Sequence, residues 1–409
     1  VRAVLFEILI PELIIYMVFD KERKMAVLQE STKVVHEITK SVYPTENSGQ
    51  LSIQDMLTYF EQMGTMRVSD LHLKVGAPPT YRVDGDLEKL KGPALTQEMA
   101  EQLILPLLSD TSIGKLRERH SVDCSYRLAA THFRINVFKE NDGICAAIRA
   151  LSTDIIAVER AGFPNDIWKD IINRKHGLVL VTGVTGAGKS TTIASLINRI
   201  AEERACRIIT IEDPIEYIFE QKHSLVSQRE IGRDVYSFTD GLRSMLREDP
   251  NIIFVGEMRD AETIAMTLMA AETGHLVFST LHTRDTAGTI MRILDYFPPG
   301  RQNEVRNQLS LGLAYIISQK LIPRKDGKGR IAAMEVLNNN YATANLIRTG
   351  KVEQIYSQLQ TKTTNRYDEK MITMERHLAR LVKDEKIDIN EAQKWANNLT
   401  TFAEAMNLE

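Results

Sequence analysis

The eight residues Gly183-Val184-Thr185-Gly186-Ala187-Gly188-Lys189-Ser190 have the composition and spacing of a phosphate-binding loop. Its glycines permit the tight turn in which successive backbone N–H groups cradle phosphate oxygens, and a helix starting there adds positive potential. Gly183, Thr185, Gly186, Ala187, Gly188 and Thr191 are expected to line the cradle. Lys189 is expected to reach the β- and γ-phosphates and Ser190 to hold Mg2+. The surroundings agree. An apolar run over 178–181 predicts a short strand before the loop, and Ile193, Leu196, Ile197 and Ile200 recur at helical spacing after it. Strand, loop and helix in register imply that the chain binds and hydrolyses a nucleoside triphosphate.

Other candidates sit at the ends of apolar runs. The run 208–211 leads into Glu212-Asp213-Pro214-Ile215-Glu216. In such sheets ligands lie outside the carboxyl ends of the strands, so Glu212 and Asp213 are placed to orient water or to hold Mg2+ through water. The bland alternative is a solvated loop in which Asp-Pro makes a turn. Ile252-Ile253-Phe254-Val255-Gly256-Glu257 is a buried-strand pattern ending in a carboxylate, and Glu257 is the choice for polarising the attacking water. Arg259 and Asp260 follow at once and read equally well as a local ion pair.

Thr280-Leu281-His282-Thr283 closes another apolar run, so His282 could sense the γ-phosphate; His275, before that run, is a nucleotide-binding candidate that is harder to place by topology. Two histidines without a third ligand make a poor zinc site. Arg134 and Arg149 fall on or beside strands of an earlier segment. They are either solvent-facing side chains or, in an oligomer, groups that neutralise transition-state charge across an interface.

The elements that must hold these residues change character along the chain. Residues 53–63 form an amphipathic helix, alternation over 71–75 and the run 80–83 indicate strands around the turn 76–79, and Asp84-Gly85 signals a hairpin. A helix over 96–108 and strands over 122–128, 132–138 and 144–148 complete an α+β unit assigned to 51–155. Residues 156–165 are the expected connection. From 166 to 345, strands at 178–181, 207–211, 252–255 and 276–279 alternate with helices, the pattern of a parallel α/β sheet covered on both faces. Residues 323–330 read as a hairpin, and 346–409 as a helical region. There a capping box, Asp388 with Glu391, opens a helix through Ala392, Trp395, Ala396 and Leu399, whose stripe is core or a subunit contact. Residues 1–50 read as an extension with a linker over 41–50. Its apolar stretch, 4–19, is interrupted by Glu7, Pro11 and Glu12, which fits neither a membrane span nor a signal peptide, and Met25 is a possible start.

With 43% hydrophobic and 26% charged residues and a net charge of -3, the composition is that of a soluble globular protein and disfavours a dedicated nucleic-acid binder. The three cysteines, Cys124, Cys145 and Cys206, form no CxxC pair and support no disulfide framework.

Together these motifs resemble the type II/type IV secretion-system ATPases, and among them the type IV pilus retraction ATPases, over roughly 51–350. The resemblance rests on Ser69-Asp70-Leu71-His72-Leu73 with Gly76-Ala77-Pro78-Pro79, on the loop 183–190, and on Ile211-Glu212-Asp213-Pro214-Ile215-Glu216-Tyr217. It also rests on Gln228-Arg229-Glu230-Ile231-Gly232, Val255-Gly256-Glu257-Met258-Arg259-Asp260, Thr273-Gly274-His275 with Ser279-Thr280-Leu281-His282, and Asn345-Leu346-Ile347-Arg348. It implies a homo-hexamer of subunits with a PAS-like first domain and a RecA-like second, cytoplasmic and docked at the inner-membrane base of a pilus machine. ATP would lie between one subunit's RecA-like domain and a neighbour's first domain, with Arg134 and Arg149 in the family's arginine positions. The implied partners are an inner-membrane platform protein, a second retraction ATPase, and pilin indirectly, with no direct nucleic-acid contact.

The chain departs from the family in His132 and Lys139-Glu140, where arginine and Gln-Arg are usual, and in Thr343-Ala344, where Ile-Arg is usual. A retraction motor is the leading expectation. The competitors are an accessory retraction or assembly ATPase, a hexameric nucleic-acid translocase, and a noncatalytic ring scaffold. Assembly ATPases usually carry an extra N-terminal domain and a tetracysteine zinc element, a translocase needs a basic, aromatic-interleaved pore segment, and a scaffold has no need of Lys189, Ser190 and Glu257.

Overall fold

Alternation along the strands decides what each sheet buries. In the computed structural model, which describes residues 38–45, 49–63, 68–83, 86–129, 131–141, 143–151, 155–327, 329–360 and 370–408, the chain divides into two compact units at about residue 153. The apolar stretch 4–19, Met25 and the Asp84-Gly85 turn lie outside the described residues.

The first unit opens with a two-residue ladder, β1 (Tyr43–Pro44) against β2 (Gln50–Leu51). This falls in the segment read as a linker. Tyr43 explains the difference, since its ring is fully buried and its hydroxyl donates to Pro93 O at 2.9 Å. Six further strands are β3 (Val68–Leu73), β4 (Thr80–Val83), β5 (Asp86–Lys89), β6 (Ser121–Leu128), β7 (Thr131–Glu140) and β8 (Gly143–Leu151). They form an antiparallel sheet in the order β5-β4-β3-β8-β7-β6. Along β7, Phe133, Ile135 and Val137 are buried under the helices Ile53–Met63 and Gln97–Ile104, whereas His132, Arg134 and Asn136 take the opposite face. Phe60 meets Phe133 edge-on, with ring centroids 5.3 Å apart.

The second unit is built on β9 (Gly177–Thr182), β10 (Arg207–Glu212), β11 (Leu225–Glu230), β12 (Ile252–Val255), β13 (Leu276–Leu281), β14 (Leu313–Pro323) and β15 (Arg330–Asn338). Their order is β11-β10-β12-β13-β9-β14-β15, parallel except for β15, which runs antiparallel to β14. The sheet is apolar on both faces. Leu178, Leu180, Ile209, Ile211, Ile253 and Val255 enter one core, while Val179, Val181, Ile208, Ile252 and Phe254 enter the other. Parallel strands that are buried on both sides need such uninterrupted apolar runs. No helix among the described residues is long and apolar enough to cross a membrane.

The C-terminal helices are organised by a buried carboxylate. Asp388 does cap the helix Ile389–Trp395, but it accepts from Asn390 N (2.8 Å), and Glu391 pairs with Lys394 instead of completing a capping box. The helix also stops short of Leu399, which opens a second helix, Leu399–Leu408. The break falls where Asn397 N and Asn398 N donate to Glu375 Oε1 at 2.9 and 3.0 Å, so these N–H groups are satisfied outside a helix. Ala392 is fully buried and Trp395 and Ala396 pack on the same cluster, which makes this part of the stripe core, whereas Leu399 is exposed.

Glu335 of β15 is a second buried carboxylate and accepts from both Thr286 N and Thr286 Oγ1 at 2.8 Å. Burial pushes its carboxyl up to about 7, against the lowering effect of the two Thr286 bonds. The folded chain therefore holds a proton that the unfolded chain releases, and stability falls as pH rises from about 4.5 to about 7. Glu335→Gln keeps an acceptor for Thr286 without the buried charge. Its melting temperature should exceed the parent's at pH 8, by the equivalent of about 3 kcal/mol, and should match it near pH 5. Parallel melting curves at the two pH values would exclude Glu335 as a source of the slope.

Candidate active site

Topology brings the candidate residues together because the turns after β9, β10, β12 and β13 all leave from the same edge of a parallel sheet. β9 ends at Thr182, whose hydroxyl meets that of Ser318 on β14 at 2.7 Å, and the phosphate-loop sequence follows. Gly188 takes a left-handed conformation (φ 84°) at the N-cap of the helix Lys189–Glu203. A glycine there caps with no side chain, which leaves the first N–H groups of the helix available to an anion. Val184, Thr185 and Gly186 are exposed and Ala187 is buried, so the loop stands as an open arch on a packed footing.

Lys189 lies across this arch. Its Nζ donates to Gly183 O (2.9 Å) and Val184 O (3.3 Å) and sits 3.4 Å from His282 Nδ1. Burial holds the ammonium below the ordinary lysine value, opposed by the carboxylates of Glu257 and Glu216. Thr191 Oγ1 meets Tyr217 OH at 2.8 Å.

From Lys189 a continuous polar line runs along the strand ends. His282 Nε2 is 3.4 Å from Glu257 Oε1, Arg259 Nε is 2.8 Å from Glu257 Oε2, and Arg259 Nη1 donates to Asp213 Oδ2 at 3.2 Å. The turn that carries Glu257 is fixed by bonds to its backbone. Gly256 N donates to Ile211 O (2.8 Å), Thr280 Oγ1 to Gly256 O (2.6 Å) and Met258 N to Thr280 O (3.3 Å). The local pair expected of Arg259 therefore forms with Glu257 and Asp213. Asp260 does something else: it caps the helix Ala261–Glu272 through Thr263 N at 2.8 Å.

Two residues at the strand ends stand apart from this line. Glu212 is 5% exposed and accepts from Thr210 Oγ1 (2.7 Å) and Gln228 Nε2 (3.2 Å). Burial pushes its carboxyl up to about 7, although both hydrogen bonds favour the charged form. His275 precedes β13, at the opposite end of the strand from His282, and its Nδ1 lies 2.9 Å from Ala270 O. A six-residue strand spans roughly 20 Å, so within this unit His275 does not meet the loop.

In the first unit Arg134, Arg149 and Asp70 are register partners across β7, β8 and β3. Arg149 Nε bonds Asp70 Oδ1 at 2.8 Å. Burial pushes the Asp70 carboxyl up, but the Ser69 hydroxyl and Arg149 outweigh it and hold it below the usual range.

Sequence reasoning missed two neighbours of the loop. Glu216 ends the acidic run 212–216, which assigns it no role of its own, and it acts on Lys189. Gln319 reaches the loop from β14 with a bond to Ala187 O. The available signal for Gln319 is the polar run Ser318-Gln319-Lys320 inside an otherwise apolar strand.

A model of the type II/IV secretion system protein family matches residues 49–406. The chain is 44% identical over 312 residues to the type IV pilus retraction ATPase PilT of Pseudomonas aeruginosa, covering 76% of this chain and 89% of that protein. It is 42% identical over 321 residues to a twitching motility protein of Neisseria gonorrhoeae, covering 78% and 84%. The crystal structure of the pilus retraction motor PilT with bound ADP matches with a TM-score of 0.78 at 44% identity, over 87% of this chain and all of that one. The α/β fold is the expected one: a parallel-sheet RecA-like unit follows a smaller α+β PAS-like unit, and the C-terminal region is helical.

Proposed function

This chain belongs to the type II/IV secretion system protein family, and from that premise we propose that it is an ATP-hydrolysing motor that retracts type IV pili. The reaction is ATP plus water to ADP plus phosphate. The observation that carries the ATPase reading is the line Lys189–His282–Glu257 beside an uncapped helix start. A cation, a proton-accepting carboxylate and free N–H groups on one sheet edge are what phosphoryl transfer to water requires.

The backbone of Gly183 and of 185–188 binds the phosphates and Lys189 moves from loop carbonyls to phosphate oxygens, with Thr191 beside it. Glu257, aimed by Arg259, takes the proton of the attacking water, and His282 hydrogen-bonds the terminal phosphate. Asp213 holds Arg259 in place. Mg2+, when bound, neutralises charge on the β- and γ-phosphates, and Ser190 with Glu257 through water fits it. Among the described residues no cluster of three ligating side chains exists, which suits an ion held mainly by substrate oxygens and water. Glu212, committed to Thr210 and Gln228, shapes the strand end, so the water-directed role falls to Glu257. His275 has its ring engaged at the far end of β13 and takes no part in its own subunit's loop.

The working assembly is a homo-hexamer at the cytoplasmic base of the pilus machine, in which Arg134 and Arg149 act on a neighbour's nucleotide. It drives an inner-membrane platform protein, with a second retraction ATPase alongside and pilin moved indirectly. Deletion of the gene in the parent organism tests the direction of force. Surplus pili without twitching support retraction, whereas loss of pili would make the chain an assembly motor.

A further inference from the structure

Loop carbonyls carry the wrong sign for a phosphate, so a phosphate loop works only if they are turned away and held there. Lys189 occupies two of them, Gly183 O and Val184 O. A third, Ala187 O, is bonded from outside the loop by Gln319 Nε2 of β14, at 2.5 Å. Gln319 is 2% exposed, and its backbone also abuts the loop: a Cβ on Gly183 would lie 2.6 Å from Gln319 O. The bond to Ala187 fixes which end of the amide points at the loop, and Gln319 Oε1 is left buried without a donor. Burying an unpaired acceptor is unfavourable, and an apolar side chain of the same length would avoid it. The amide is therefore to be explained by its donor end.

We propose that Gln319 is a positioning residue for the phosphate loop, its amide pinning the Ala187 carbonyl to β14 so that the loop's N–H groups stay turned toward the anion. This rests on the ATPase reading above. When Lys189 leaves its two carbonyls for substrate, the Ala187 carbonyl keeps its donor, and the arch keeps one fixed point on the sheet. Lys320, the next residue, donates in another direction, to Trp395 O and Asn397 Oδ1 at 2.7 and 2.6 Å, which ties the same strand to the C-terminal helices.

Calorimetric titration of the full chain with ADP, together with steady-state ATPase kinetics, tests this on Gln319→Leu and Gln319→Glu. The leucine variant should raise Kd for ADP and KM for ATP about tenfold, as expected for one lost hydrogen bond, with kcat changed less. At pH 8 the glutamate variant should bind more weakly still, because a carboxylate would face a carbonyl oxygen. On acidification to pH 6 it should recover several-fold relative to the leucine variant, since a protonated carboxyl can donate to Ala187 O.

Lys189, His282, Glu257 and Glu216 around the loop, Lys320 and Glu335 on β14 and β15, and His377 against Met334, the register partner of position 319, are the same in the parent and both variants, so the difference isolates position 319. A leucine variant with parental Kd and KM would overturn the proposal, as would a glutamate variant whose pH profile parallels the leucine one. Loss of fold in both variants also counts against it, because it would assign Gln319 to the sheet and not to the loop. Failure of the parent chain to bind ADP would instead sink the ATPase reading itself.

Discussion

Glu257→Gln should lower ATP turnover by about 10²–10⁴-fold while leaving ADP affinity within a few-fold of the parent. The substitution is nearly isosteric. A glutamine oxygen can still accept from Arg259 Nε, so the side chain has reason to stay where it is. What it loses is the ability to take a proton from water. Lys189 is bound to backbone carbonyls and not to Glu257, so the phosphate loop keeps its shape. One carboxylate that supports the Lys189 charge is removed, which accounts for the small change in affinity. Phosphate release under saturating ATP and ADP calorimetry separate the two effects. Unchanged turnover would remove Glu257 from the reaction and direct attention to Glu216, the other carboxylate that acts on Lys189.

The phosphate loop and the three strand-end motifs were legible because each is local. A short apolar run sets a strand, and in a parallel sheet the next residues must emerge at the ligand-binding edge. Partners distant in sequence were not legible. Arg259 and Asp213 are 46 residues apart, and nothing in either motif announces the pair. The edge strand β11 reads Leu-Val-Ser-Gln-Arg-Glu, too polar to register as a strand, because one side of it has no neighbouring strand among the described residues. The break before Leu399 depends on Glu375, whose carboxylate takes two N–H groups that a continuous helix would have used internally. Gln319 is the same kind of case: the residue is visible in the sequence, but its contact with Ala187 exists only once β14 lies beside β9.

Arg134→Ala should reduce hydrolysis by the assembled motor about 10³-fold or more while leaving ADP binding by the isolated chain unchanged. The contrast with Arg149 makes the test selective. Arg149 is bonded to the buried carboxylate of Asp70, so removing it takes away the nearer of that carboxylate's two cations, leaving Arg82 Nε at 3.9 Å, and costs stability in the subunit itself. Arg134 is exposed and its side chain makes no hydrogen bond or ion pair among the described residues, although it lies beside Arg149 in register on the next strand. Its loss therefore costs the lone subunit little, and any large effect must come from what it meets in the assembly. Arg134→Lys sharpens the reading. It keeps the charge but not the planar fork that grips phosphate through two donors, and it should restore only part of the activity. Equal turnover by the parent and Arg134→Ala at protein concentrations that saturate assembly would show that this arginine serves no neighbour's nucleotide and is surface charge alone.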